Sequence, residues 1–81
     1  MLYLIDEPLA DLGYRVAARD DDAQLLLVQD GALLDPDLNV PTYAIERDVA
    51  IRGVELPARI DSVTYDEAVS LIFAQEVTSF V

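Results

Sequence analysis

A three-layer α/β sandwich on a small, mostly parallel sheet is the fold this sequence predicts, and three observations carry the prediction. Short apolar runs alternate with helix-like segments, the order of βαβ units. One run, Leu25 to Val28, is apolar at every position, as suits a strand covered on both faces. Helix start and stop signals fall between the runs, where such units need them. A chain of 81 residues has room for one hydrophobic core, so 1–81 is read as a single domain.

The first strand is Leu2 to Ile5. Asp6, Glu7 and Pro8 then place acids and a proline in the first turn of a helix. Leu9, Leu12 and Val16 recur at i, i+3 and i+7 through about Arg19, and this apolar stripe is expected to face the sheet. Gly13 lies inside it, at a cost of about 1 kcal/mol relative to alanine. Asp20-Asp21-Asp22 ends the segment, and Gln24 to Gln29 is the second strand, expected at the centre of the sheet. Asp30-Gly31 turns the chain, glycine supplying a positive φ, and Leu33 to Asp37 reads as irregular or as a short helical turn. The third strand is Val40 to Ile45, with Pro41 confined to its start.

Glu46 to Arg52 has acids at its front, arginine at its back and Gly53 just beyond, which predicts a two-turn helix with a left-handed glycine stop. Ile60 to Val63 is a fourth strand, and Thr64-Tyr65-Asp66-Glu67 is a capping box that opens the last helix. That helix is read as extending through Val77. Its apolar residues then spread over roughly 240°, against the ≳ 100° stripe of a surface helix. Phe80 and Val81 continue the apolar character. Val69, Phe73, Val77 and Phe80 are therefore candidate subunit-interface residues; the alternative is that the domain wraps this helix more fully. A core this small is marginal, with only about 60% of the unfolded surface buried.

Composition removes several function classes. There is no cysteine and no histidine, and all five basic residues are arginine, so thiolate metal sites, disulfides, sulfur-carrying thiols and lysine or histidine bases are absent. Sixteen acids give a formal charge of −11, which argues against direct binding of nucleic acid, since phosphates need clustered positive charge. The acidity reads either as adaptation to a salt-rich cell or as a docking surface for a basic partner. No charged-then-apolar leader opens the sequence, and no apolar run approaches the ~20 residues of a membrane span, so a soluble cytoplasmic protein without a membrane partner is expected.

Sites for chemistry are few. The serines and threonines have only carboxylates as candidate bases. Gly13, Gly31 and Gly53 are scattered rather than clustered, so no phosphate loop is present and no cofactor is expected. Asp20-Asp21-Asp22 and Asp35-Pro36-Asp37 lack the interleaved acids, glycine and distal glutamate of a calcium loop and read as solvated turns. The best site candidate is Gln29-Asp30-Gly31, at the carboxyl end of the central strand, where open α/β sheets place binding crevices. Ordinary turn chemistry is the alternative for the same residues.

Three segments in order resemble the DsrH/TusB family of sulfur-relay subunits: Leu-Leu-Leu-Val-Gln-Asp-Gly at 25–31, Tyr-Ala-Ile-Glu-Arg-Asp-Val-Ala-Ile-Arg-Gly at 43–53, and Val-Thr-Tyr-Asp-Glu-Ala-Val-Ser-Leu at 63–71. The resemblance covers nearly the whole chain. It implies a DsrE-like α/β sandwich beside DsrE/TusD-like and DsrF/TusC-like sister subunits, commonly in a heterohexamer. Sulfur travels in such complexes as a persulfide on a cysteine of the DsrE/TusD-type sister. The TusB branch serves 2-thiolation of the wobble uridine of transfer RNA, and the DsrH branch serves dissimilatory sulfur metabolism. Carried over by position, the resemblance points to Gln29, Asp30, Gly31, Asp48, Arg52 and Gly53. For these the plain alternatives are an i,i+4 ion pair between Asp48 and Arg52 and a helix stop at Gly53. Some DsrH members carry their own cysteine; this chain has none, which makes it a scaffolding rather than a sulfur-bearing subunit. Two rivals stand beside that expectation: a self-associating binding module with a small ligand at the Gln29 to Gly31 edge, and a small enzyme that uses carboxylates alone.

Overall fold

A computed structural model describes residues 1–81. The chain forms β1 (Leu2–Ile5), a 3-10 turn (Glu7–Leu9), α1 (Ala10–Ala17), β2 (Gln24–Leu27), a second 3-10 turn (Gln29–Leu33), β3 (Thr42–Ile45), α2 (Glu46–Arg52), β4 (Ile60–Val63), α3 (Tyr65–Ala74) and β5 (Val77–Phe80). The five strands make one sheet in the order β4-β3-β2-β1-β5, and every pair is parallel. β2 is central, as its unbroken apolar run requires, and Leu25, Leu26 and Leu27 are wholly buried.

Alternation along the strands sorts the core into two halves. Tyr3, Ile5, Leu25, Leu27, Ala44 and Ile60 form one with Ala10 and Ala17 of α1, and Val49 of α2 packs on it. Leu2, Leu26 and Val63 form the other with Ala68 of α3, flanked by Leu71 and Ile72. The layers are thus α1 and α2, the sheet, and α3. Because β4 and β5 are opposite edges, α3 carries the chain back across the whole sheet: ten residues give ~15 Å of helix against ~19 Å between edge strands. No helix is long and apolar enough to cross a membrane.

Local signals became the predicted structures at several points. Asp6 caps the first 3-10 turn, its Oδ1 accepting from the Glu7 N–H at 2.7 Å. Gly53 adopts φ 63°; its N–H reaches the Ala50 carbonyl and the Val54 N–H reaches Val49, the Schellman pair of bonds. Thr64 and Glu67 close the capping box, Glu67 N–H donating to Thr64 Oγ1 at 3.2 Å and Thr64 N–H to Glu67 Oε1 at 2.8 Å.

Three expectations need correction. The stripe Leu9, Leu12, Val16 faces outward, these residues being 40, 52 and 40% exposed, while Ala10, Gly13 and Ala17 face the sheet. The reason is steric. A Cβ on Gly13 would lie 2.4 Å from Ile5 Cδ1 and 3.2 Å from the Phe80 ring, so bulk at this contact comes from the strands and the helix must be thin there. Secondly, the last helix stops at Ala74, where Gln75 is extended, and Val77–Phe80 is a fifth strand paired with β1. Without it, β1 would present unpaired backbone groups at an open edge. Val77 and Phe80 therefore belong to the sheet rather than to a helix. Finally, the positive φ after β2 is at Gln29, at 50°, and not at Gly31.

Candidate functional site

In an all-parallel sheet every carboxyl end lies along one edge, and here the turn after β2 and the helix after β3 meet there. Four of the residues singled out by sequence form one network. Gln29 leaves β2 in the left-handed region and donates its N–H to Asp48 Oδ2 at 2.8 Å. Arg52 Nε donates to Asp30 Oδ1 at 2.9 Å. Its Nη1 donates to the Asp48 carbonyl at 3.2 Å and lies 3.6 Å from Asp48 Oδ1. Asp48 and Arg52 are each about one-fifth exposed in the side chain, and Asp30 is more open at 57%.

Gly31 supports this network from beneath. It is buried, its N–H bonds the Val28 carbonyl at 2.8 Å, and a Cβ there would fall 2.2 Å from the Ile5 carbonyl oxygen. Glycine is required for closeness, not for a positive φ. Gly53, the sixth candidate, takes no part: nothing lies within 4 Å of its Cβ position, and it serves as the stop of α2.

The chemistry of the cluster is that of a clamp. Arg52 pairs with two carboxylates, leaving one negative charge uncompensated, and Asp48 ties α2 to the turn after β2. The i,i+4 pair anticipated between Asp48 and Arg52 is present, but Arg52 also reaches across to Asp30. None of the four surface cavities opens onto these residues.

The interface candidates divide. Phe73 is 85% exposed and Val69 half-buried on α3, and Tyr65 adds an exposed ring one turn before Val69. Phe80 instead stacks on Tyr3, with ring centroids 6.2 Å apart, and Val77 packs into the α3 half of the core. Sequence reasoning missed the outer face of α1, where Leu12 and Val16 share a groove with Arg15 and Arg19. The signal was present as two stripes of equal period, one small and one large, but the larger was assigned to the core.

The largest cavity, of about 520 Å³, lies at the start of α1 and is lined in part by Leu9, Tyr14, Arg15 and Leu34. The Tyr14 hydroxyl is buried beside it without a hydrogen-bond partner. Burial, and then the negative charges of Asp11 and Asp35, push its pKa up to about 12, so it stays a neutral donor. On the opposite face, a shallower cavity of about 330 Å³ is bordered by Tyr43, Val63, Leu71 and Ala74.

Neither a protein-family model nor a curated protein matches the chain.

Proposed function

We propose that this chain is a non-catalytic subunit of a cytoplasmic sulfur-relay complex that supports 2-thiolation of the transfer-RNA wobble uridine or related sulfur trafficking. The observation that carries the reading is the conjunction of three ordered segments resembling DsrH/TusB subunits with a complete lack of cysteine. Sulfane sulfur is accepted and released by a thiolate, and no side chain here substitutes for one. The persulfide is therefore carried by a DsrE/TusD-like sister, and this chain holds neighbours in place. The Arg52 clamp is compatible with that role, because it makes the carboxyl edge a fixed surface rather than a reactive crevice. Phe73, exposed on α3, is the natural place for a neighbour.

The test is affinity purification from the native cell, followed by transfer of ³⁵S from a desulfurase to the purified complex. The reading expects cysteine-bearing DsrE/TusD-like and DsrF/TusC-like proteins to co-purify and to take all the label, with none on this chain. Label carried by the lone chain, or purification without such sisters, overturns it.

A further inference from the structure

We propose that the Asp30–Gly31 peptide is a spontaneous modification site, held inert while the Arg52 clamp is closed and isomerised to a β-linked isoaspartyl bond when the clamp opens. This restraint is independent of any role in sulfur transfer.

Asp30 is the one aspartate that a glycine follows. Such a bond is chemically labile, because glycine has no Cβ to shield its amide nitrogen from the neighbouring carboxyl group. In the reaction the Gly31 nitrogen attacks Asp30 Cγ in its carboxylic acid form. The N–Cγ bond forms, the Cγ–OH bond breaks, and the hydroxyl leaves with the amide proton as water. Water then opens the five-membered imide. Attack at the Asp30 main-chain carbonyl leaves the chain linked through Cγ, as isoaspartate, and attack at Cγ restores aspartate. Water is the only co-reactant.

The fold opposes each requirement of that reaction. Asp30 lies in the 3-10 turn Gln29–Leu33, whose helical ψ keeps the Gly31 nitrogen off Cγ, whereas ring closure turns it onto that carbon. The Gly31 N–H is engaged by the Val28 carbonyl at 2.8 Å, and the residue is buried. It has no freedom to swing, since the Ile5 carbonyl leaves no room for even a Cβ. Asp48 holds the Gln29 N–H, one residue before Asp30, at 2.8 Å. The Asp30 side chain itself is 57% exposed, so its restraint comes from Arg52, whose Nε draws Oδ1 toward α2 at 2.9 Å, and not from burial.

Opening followed by isomerisation is one-way in its structural effect. The β-linkage adds one carbon to the main chain beside Gly31, where the contact with Ile5 has no spare space. The turn then cannot close again over β1, and the chain carries a lasting record that its carboxyl edge came apart.

The experiment is incubation of the purified chain at neutral pH, folded and unfolded in guanidinium chloride, beside folded Arg52→Lys and Thr64→Ala. Isoaspartate is counted with an isoaspartyl carboxyl methyltransferase and a radiolabelled methyl donor, and is located by electron-transfer mass spectrometry. Lysine keeps the charge at 52 but lacks the fork that holds Asp30 and the Asp48 carbonyl together. Thr64→Ala loosens the fold through the cap of α3, away from the clamp. Circular dichroism checks that both variants are folded. The folded parent is expected to isomerise at residue 30 at least about tenfold more slowly than the unfolded chain. Arg52→Lys should be about two- to fivefold faster than the folded parent, the gain in open form that loss of a surface ion pair gives, and Thr64→Ala should match the parent. A folded parent as fast as the unfolded chain, an Arg52→Lys rate no higher than the parent's, or a Thr64→Ala rate nearer to that of Arg52→Lys than to the parent's overturns the proposal.

Discussion

Gly31→Ala tests the tightest contact in the domain. The added Cβ would lie 2.2 Å from the Ile5 carbonyl oxygen and 3.1 Å from its carbon, so the backbone itself must move. Ile5 has no room to yield: it is wholly buried, and its carbonyl accepts the Val28 N–H at 2.9 Å. Overpacking of this kind costs ~1–3 kcal/mol, and weakening the Val28 bond adds ~0.5–1.5 kcal/mol. A loss of about 3 kcal/mol is expected, out of the roughly 4–12 kcal/mol that a chain of this size possesses. In thermal unfolding at low protein concentration, Tm should fall by roughly 12–24 °C. Two companion glycines provide the scale. Gly53→Ala meets nothing within 4 Å but must hold φ 63°, a cost of about 1–2 kcal/mol. Gly13→Ala presses on side chains rather than backbone, the buried Ile5 Cδ1 and the Phe80 ring, an overpacking of ~1–3 kcal/mol against which helix propensity returns ~1 kcal/mol, so a net loss of about 0–2 kcal/mol is expected. If Gly31→Ala melts no lower than Gly53→Ala, close approach to β1 is not what glycine provides at that position.

Phe80→Ala should cost about 2–3 kcal/mol in urea unfolding, because the ring packs on Tyr3 and against Gly13, whereas Phe73→Ala should change the stability of the monomer by less than ~0.5 kcal/mol. Gln29→Gly should stabilise by about 0.5–1 kcal/mol by relieving the left-handed φ, and an unchanged or lower urea midpoint would argue against that backbone conformation. Thr64→Ala should cost ~1 kcal/mol through loss of the cap. It should also flatten the acid limb of the stability curve in part, since the residue 64 N–H, the larger cause, remains while the hydroxyl is lost. The Thr64 N–H, and then its hydroxyl, hold the folded Glu67 carboxyl below the ordinary value of 4.5, so that contribution is complete above pH 4.5 and disappears as pH falls through the folded pKa. Parallel acid limbs for parent and variant, followed by chemical denaturation, would refute the coupling.

Much of the candidate site was legible because its parts are local. Gln29-Asp30-Gly31 sits at a strand end, and Asp48, Arg52 and Gly53 sit on a short helix with its stop, so each was visible within a few residues. That Arg52 spans to Asp30, and that Asp48 takes the Gln29 N–H, required β2 and β3 to be neighbours in parallel. The role of Gly31 was misread for the same reason: the atom it must avoid belongs to β1, 26 positions earlier in the chain.

Four strands, three helices, the central place of β2 and the caps at Thr64 and Gly53 were determined by the sequence itself, because caps, stops and unbroken apolar runs act through neighbours a few residues away. Only the tertiary structure decided which stripe of α1 turns inward, since Ala10-Gly13-Ala17 and Leu9-Leu12-Val16 share one period and the choice depends on the bulk of Ile5 and Phe80 beneath the helix. The same holds for β5: Val77 leaves the expected helix, and Val77 to Phe80 form a strand because β1 lies ready to pair with them, a partner more than seventy positions away that no local signal names.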